Sequence, residues 1–225
     1  GNDMLLFSQN VPLAIEKFKL ALQTNLITER DIEQRVKKIL AAKYDVGLNH
    51  YTPIATDNVL EDINKYTDKI REQAAIKGIT LVKDDNNLLG KIHGGDARVN
   101  YIGVNATQSV LFNELRNNVS KLQYDWLPKG SSETAITKLK EGTTNTDITI
   151  IGIHNLSFYP SGGNHGLDAA QVQFLKDMAS KPNVFFALMG NAYLVKHFCN
   201  ASGILVGYED DTITQTVATN ILLKK

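Results

Sequence analysis

From residue 61 onward, apolar strand-like runs alternate with helical patterns, and this alternation leaves few folds open. The runs at 79–82, 99–104, 123–127, 148–153, 184–188 and 204–206 suit buried strands. Helical patterns stand between them: one over 61–77, one carrying Val110, Leu111 and Leu115, and others near 132–141, 168–180, 192–198 and 211–223. Strands alternating with helices of this size predict a mainly parallel sheet covered on both faces, an α/β domain over 61–225. A chain of 225 residues can bury such a core without disulfides.

The first 60 residues follow another pattern. Met4 to Phe7 form a short apolar run expected to be a buried strand, closed by Ser8, Gln9 and Asn10. Pro12 is tolerated in a first helical turn, and Ile15, Phe18 and Leu22 form an apolar stripe over 12–24. Thr28 with Asp31 three positions on predicts a capped second helix, with Ile32, Val36, Ile39 and Leu40 on one face and Gly47 as the stop. Residues 49–60, with Pro53, read as a linker. A single strand cannot satisfy its own backbone by pairing, so this segment expects sheet partners from elsewhere. The abrupt entry at Gly1-Asn2-Asp3 and the ending at Lys224-Lys225 read as a piece of a longer chain.

Lysine plus arginine equals aspartate plus glutamate at 24 each, so no net field favours nucleic acid or an anionic membrane. No apolar run is long enough to span a bilayer, and no signal peptide opens the chain. Cys199 is the only cysteine; it excludes an internal disulfide and is expected to be a small buried residue. Trp126 closes an apolar run and is expected in the core. His50, His93 and His197 have no local partners at ligand spacing.

The loop from His154 to Gly166 is the most suggestive stretch. It follows a strongly apolar strand, and open α/β sheets bind ligands beyond the carboxyl ends of their strands. His154, Asn155 and His165, with Phe158 and Tyr159, offer stacking and hydrogen bonding of the kind a sugar uses; the plain alternative is a surface connection. His154 and His165 lie too far apart, with no third ligand, to signal a metal site. Ser161-Gly162-Gly163-Asn164-His165-Gly166 precedes a helix but lacks the lysine of a phosphate-binding loop. The turn after residue 104, at Asn105, has no glycine, and no Gly-x-Ser-x-Gly elbow occurs.

Three segments carry a family likeness: Gly1-Asn2-Asp3-Met4-Leu5-Leu6-Phe7, the run from Ile32 to Leu48, and the run from Ala74 to Leu89, with a weaker echo in Tyr208-Glu209-Asp210. In their order and separation they resemble the last barrel strand, the helix after the barrel and the second-domain entry of family 3 glycoside hydrolases, and most resemble the bacterial β-N-acetylglucosaminidase branch. Gly90 departs from the family pattern, where proline is usual. The likeness implies that residues 1–48 are the tail of a (β/α)₈ barrel, with one strand and two helices, and that 61–225 form a flavodoxin-like sandwich.

It also implies retaining chemistry with a carboxylate nucleophile and a proton donor. The nucleophile lies on an earlier barrel strand, so no catalytic residue maps onto this chain and the chain alone is expected to be inactive. No cofactor and no metal are implied. Ser8, Gln9 and Asn10 would stand at the pocket rim, since barrel sites lie at the carboxyl ends of the strands, or else merely cap the next helix. The expected partners are a carbohydrate substrate, met through the intact enzyme, and the barrel itself. The resemblance implies a periplasmic or extracellular location. The competing reading is an independent flavodoxin-like module binding a nucleotide or small anion near Asn105 or the 154–166 loop.

Overall fold

The computed structural model describes residues 2–159 and 163–225. The chain divides into two units, Gly1–Val59 and Leu60–Lys225.

In the first unit, helix α1 (Val11–Gln23) begins where the Asn10 side chain accepts the Leu13 N–H at 3.0 Å. Helix α2 (Glu29–Asp45) opens with the expected reciprocal cap: Asp31 N–H donates to Thr28 Oγ1 at 3.2 Å, and Thr28 N–H to Asp31 Oδ2 at 2.9 Å. Gly47, at φ 80°, ends it in the left-handed conformation that favours glycine. Asp3 reaches α2 through Arg35 at 3.2 Å and Lys38 at 2.8 Å, and the Lys38 hydrogen bond is the main reason its carboxyl is held below the usual range.

The strand expected over 4–7 does not form, and Met4 to Phe7 are all exposed, Phe7 at 93%. No described residue of this unit lies in a strand, so an extended 4–7 segment would find no partner here for its N–H and C=O groups. No described residue of the unit is buried either.

The expected helix over 61–77 is broken into α3 (Val59–Asn64) and α4 (Thr67–Gly78). The sheet unit then runs β1 (Thr80–Asp84), α5 (Leu88–His93), β2 (Val99–Val104), α6 (Val110–Asn118), β3 (Leu122–Leu127), α7 (Glu133–Gly142), β4 (Ile148–Ile153), α8 (Ala169–Ala179), β5 (Val184–Leu188), β6 (Gly203–Val206) and α9 (Thr212–Leu223). The strand order is β1-β6-β5-β4-β2-β3, and every pairing is parallel except β1 with β6. Leaving out β1, the five parallel strands follow the flavodoxin-like order, with the switch point between β2 and β4. The fold is thus the expected α/β sandwich.

Strands β2, β4, β5 and β6 are buried along their whole length, as apolar runs without polar alternation predict. One face packs Ile102, Val104, Ile151, Ile153 and Phe186 under α7 and α8. The other packs Tyr101, Ile150, Phe185 and Leu205 under α5, α6 and α9. Trp126, expected in the core, is half-buried at its edge and meets Tyr101 and Phe112 edge-on at 5.7 and 5.2 Å. Cys199 corrects the expectation of burial. It is exposed, because Phe198 and Ala201 take the inward positions of that turn.

Phe186 is fully buried and stacks on Phe198 with ring centroids 4.4 Å apart. Phe186→Ala should lower the stability of the sheet unit by about 3–5 kcal/mol, read as a fall in its urea midpoint with an unchanged slope.

Candidate functional site

At the carboxyl ends of β2, β4 and β6, polar side chains from separate elements converge. Tyr101, Gly152 and His154 share the sheet face covered by α6 and α9, since side chains alternate along a strand. His154 is 1% exposed, a costly place for a polar ring unless both nitrogens are used. Both are: Nε2 lies 2.9 Å from the Tyr101 hydroxyl and Nδ1 lies 2.8 Å from Asp210 Oδ1. Tyr101 also meets Ser109 Oγ at 3.1 Å, and burial pushes its hydroxyl pKa well up.

Asp210 is the centre of the arrangement. Besides His154, its carboxylate accepts the Asn155 N–H at 2.6 Å and the Gln215 amide at 2.9 Å. Asn105 and Asn155 close the space between β2 and β4. Asn105 Nδ2 donates to the carbonyls of His154 and Asn155 at 2.9 Å each, and Asn155 Nδ2 returns a bond to Asn105 O at 3.0 Å. Both asparagines have positive φ, 61° and 50°, which this residue tolerates better than most.

Farther along, Ser157 N–H donates to His165 O at 2.7 Å while buried His165 donates from Nδ1 to Ser157 O at 3.2 Å. These bonds make a neck from which exposed Phe158 and Tyr159 project. A cleft of about 430 Å³ opens beside it, walled by Leu156, Ser157 and Phe158 on one side and by Tyr208, Glu209 and Asp210 on the other, with Gly190 and Asn191 also lining it.

Hydrogen bonding to Asp211, aided by burial and Asp211's charge, raises the Glu209 carboxyl above the usual range. Burial opposes the charge of Asp211, but the backbone and hydroxyl of Thr214 outweigh it and hold that carboxyl low. Arg71 completes the group, 3.2 Å from Asp211. The two neighbouring carboxyls are thus pushed in opposite directions, Glu209 up and Asp211 down.

Of the residues singled out from sequence, His154 and Asn155 stand in one network, and His165 stands at the loop neck instead. Asn10 spends its side-chain oxygen capping α1, while Ser8 and Gln9 are exposed in the first unit. Of the glycine-rich turn before α8, Ser161 and Gly162 lie outside the described residues. Among the described residues, no group of three or more His, Cys, Asp or Glu is placed to hold a metal. Tyr101, Ser109, Asp210 and Gln215 were not singled out. Their positions, 45 to 61 residues from His154 in the chain, carry no local signal; only Tyr208-Glu209-Asp210 hinted at that turn.

Two outcomes follow from this geometry. A Cβ at Gly152 would collide with the Tyr101 hydroxyl and stand 2.8 Å from His154 Nε2. Gly152→Ala should therefore cost about 1–3 kcal/mol in urea unfolding, whereas the open position Gly142 should tolerate alanine. For Glu209, folding favours the protonated form. The stability it contributes is present below its unfolded value of about 4.5 and is lost as pH rises through the raised folded value. Glu209→Gln should match the parent chain at pH 4 and show the higher urea midpoint at pH 7; equal midpoints at both would exclude the upward shift of the Glu209 carboxyl.

No family model matches the sequence, and no curated protein does. Solved structures do. A glycoside hydrolase family 3 β-N-acetylglucosaminidase from Paenibacillus sp. str. FPU-7 superposes with a TM-score of 0.59 at 14% identity, covering 91% of this chain and 39% of that one. The β-glucoside phosphorylase BglX gives 0.70 at 18% identity, covering 99% and 41%. A fungal multi-domain GH3 β-N-acetylglucosaminidase gives 0.67 at 17%, covering 100% and 26%. The chain spans less than half the length of each. At these identities the likeness is one of fold, and the chain has the fold of the corresponding part of family 3 glycoside hydrolases.

Proposed function

We propose that this chain is the carboxyl-terminal accessory part of a retaining β-glycoside hydrolase of family 3, acting on β-N-acetylglucosaminides or β-glucosides. The observation that carries the reading is the superposition of nearly the whole chain, its first unit included, on enzymes described as β-N-acetylglucosaminidases and a β-glucoside phosphorylase. A free-standing flavodoxin-like module has no use for two helices and a linker ahead of its sheet. The catalytic nucleophile belongs to barrel strands outside this chain, and the periplasm or the exterior is the compartment in which the enzyme works.

In this reading residues 1–48 complete the barrel and pack on it. The exposed side chains of Met4, Leu5, Leu6 and Phe7 support that, since exposed apolar groups in contiguous runs mark surfaces made for contact. Ser8 and Gln9 face the substrate rim. The sheet unit contributes the 154–166 loop, whose projecting Phe158 and Tyr159 suit the apolar face of a sugar ring and whose cleft offers Ser157, Asn191 and Glu209 to its hydroxyls.

The competing module for a nucleotide or small anion has one feature in its favour, the strand order, but its expected crevice between β2 and β4 is bridged by Asn105 and Asn155. Hydrolysis of p-nitrophenyl β-N-acetylglucosaminide and β-glucoside tests the proposal. The purified chain should turn over neither, while a longer protein that joins it to a preceding barrel should turn over one of them. Turnover by the chain itself would overturn the proposal and make Glu209 the first group to replace.

A further inference from the structure

The two walls of the 430 Å³ cleft come from loops 55 residues apart in sequence, yet one carboxylate joins them. Asp210 belongs to the wall with Tyr208 and Glu209. Asn155, whose N–H it accepts at 2.6 Å, leads directly into the wall formed by Leu156, Ser157 and Phe158.

For a neutral His154 ring, donor and acceptor accounting behind this joint favours one arrangement of hydrogens. Phe112 N–H occupies Ser109 Oγ as acceptor at 3.0 Å. The Ser109 hydroxyl then donates to Tyr101, and the Tyr101 hydroxyl donates to His154 Nε2. His154 must carry its hydrogen on Nδ1, which donates to Asp210. A hydrogen on Nε2 instead would reverse the Tyr101 and Ser109 hydroxyls, leave the Ser109 hydrogen without an acceptor and set a bare Nδ1 against a carboxylate. From the other side, Gln215 donates to Asp210 Oδ1 and accepts the Leu111 N–H at 3.0 Å, so that oxygen is tied by two routes to the start of α6 while Oδ2 holds the Asn155 N–H. Every group in the chain from Phe112 to Leu111 is used.

We infer that Asp210 is a positioning residue: held by the Ser109–Tyr101–His154 chain and by Gln215, it locks the two walls of the cleft together, so that the cleft is pre-formed for its ligand. Bonds to a carboxylate are stronger than neutral ones, and a wall fixed before binding spares a ligand the cost of ordering it. The inference concerns the cleft itself and holds whatever the cleft accepts, so it stands apart from the carbohydrate reading.

Amide hydrogen exchange on the full chain tests it, together with the ring nitrogen shifts of His154. In the parent chain the Asn155 N–H, although its residue is exposed, should be protected like the amides of β4, and His154 should show the form with hydrogen on Nδ1. Asp210→Asn keeps the shape but leaves one acceptor oxygen where two are used. It should speed exchange of Asn155 and Ser157 by about tenfold or more, with β2 and β4 unchanged, and shift the ring signature. Tyr101→Phe should alter the ring signature while leaving Asn155 protected, since the walls stay joined. Unprotected Asn155 in the parent chain overturns the inference whether or not the variants fold. So does an Asp210→Asn chain in which exchange is unchanged or rises uniformly through the sheet.

Discussion

In the ladder between β2 and β4, Val99 pairs with Ile148 and Val104 with Ile153, and this register decides where each polar group at the end of the sheet stands. It sets Gly103, which leaves room for the Trp126 ring, opposite Gly152, which leaves room for Tyr101, and it carries His154 N–H onto Val104 O at 3.1 Å just past the last pair. Slipping the pairing by one residue would turn Tyr101 and His154 to opposite faces. Because both faces of β2 and β4 are buried and mostly apolar, a slip would also bury the wrong shapes against α6 and α8, so the core and the polar network select the same register.

A buried network of this kind is stabilising only when complete. His154 beside a missing Asp210 would leave a polar ring in an apolar setting, and Asp210 without His154, Asn155 and Gln215 would leave a half-buried charge poorly solvated. The cost of that incompleteness is large compared with the benefit of any single bond, and this asymmetry ties the 208–211 turn to the end of β4 more firmly than loops of such length ordinarily are. Tyr208 shows the constraint in its backbone: it is held at φ 67°, with its hydroxyl 2.9 Å from Thr80 Oγ1 on β1.

Much of the sheet was legible in the sequence because its strands are fully buried and therefore read as unbroken apolar runs; β2, β4 and β5 begin and end where those runs do. Helix starts were legible where a side chain does the capping, as at Thr28 and Asp31. What escaped depends on distant partners. The 4–7 run has the composition of a strand, yet strand formation is a property of pairs, and no partner stands among the described residues of its unit. The antiparallel placement of β1 is set by its pairing with the distant β6, and the short helix α5 opens on Asp84, whose carboxylate accepts Leu88 N–H at 2.7 Å, a cap hidden in a polar stretch. Cys199 is exposed because its neighbours Phe198 and Ala201 won the inward positions. His154 and Asn155 were visible as a suggestive loop, but the partners that define their role lie 53 and 56 positions away, at Tyr101 and Asp210.

The flavodoxin-like order creates a crevice at its switch point, and in sheets of this kind that is where ligands ordinarily sit. Here the groups that could face a ligand in that crevice face one another: Asn105 and Asn155 exchange two bonds, Asn105 donates a third to the His154 carbonyl, and Asn155 N–H goes to Asp210. A nucleotide entering between β2 and β4 would have to break all of these before making any of its own. The open space lies instead over β4, β5 and β6, where Gly190 at φ 140° lets the chain pass close under Leu156 and keeps the cleft floor low. Polar groups spent on closing one crevice have fixed the walls of another, and any ligand of this sheet end has to be sought there.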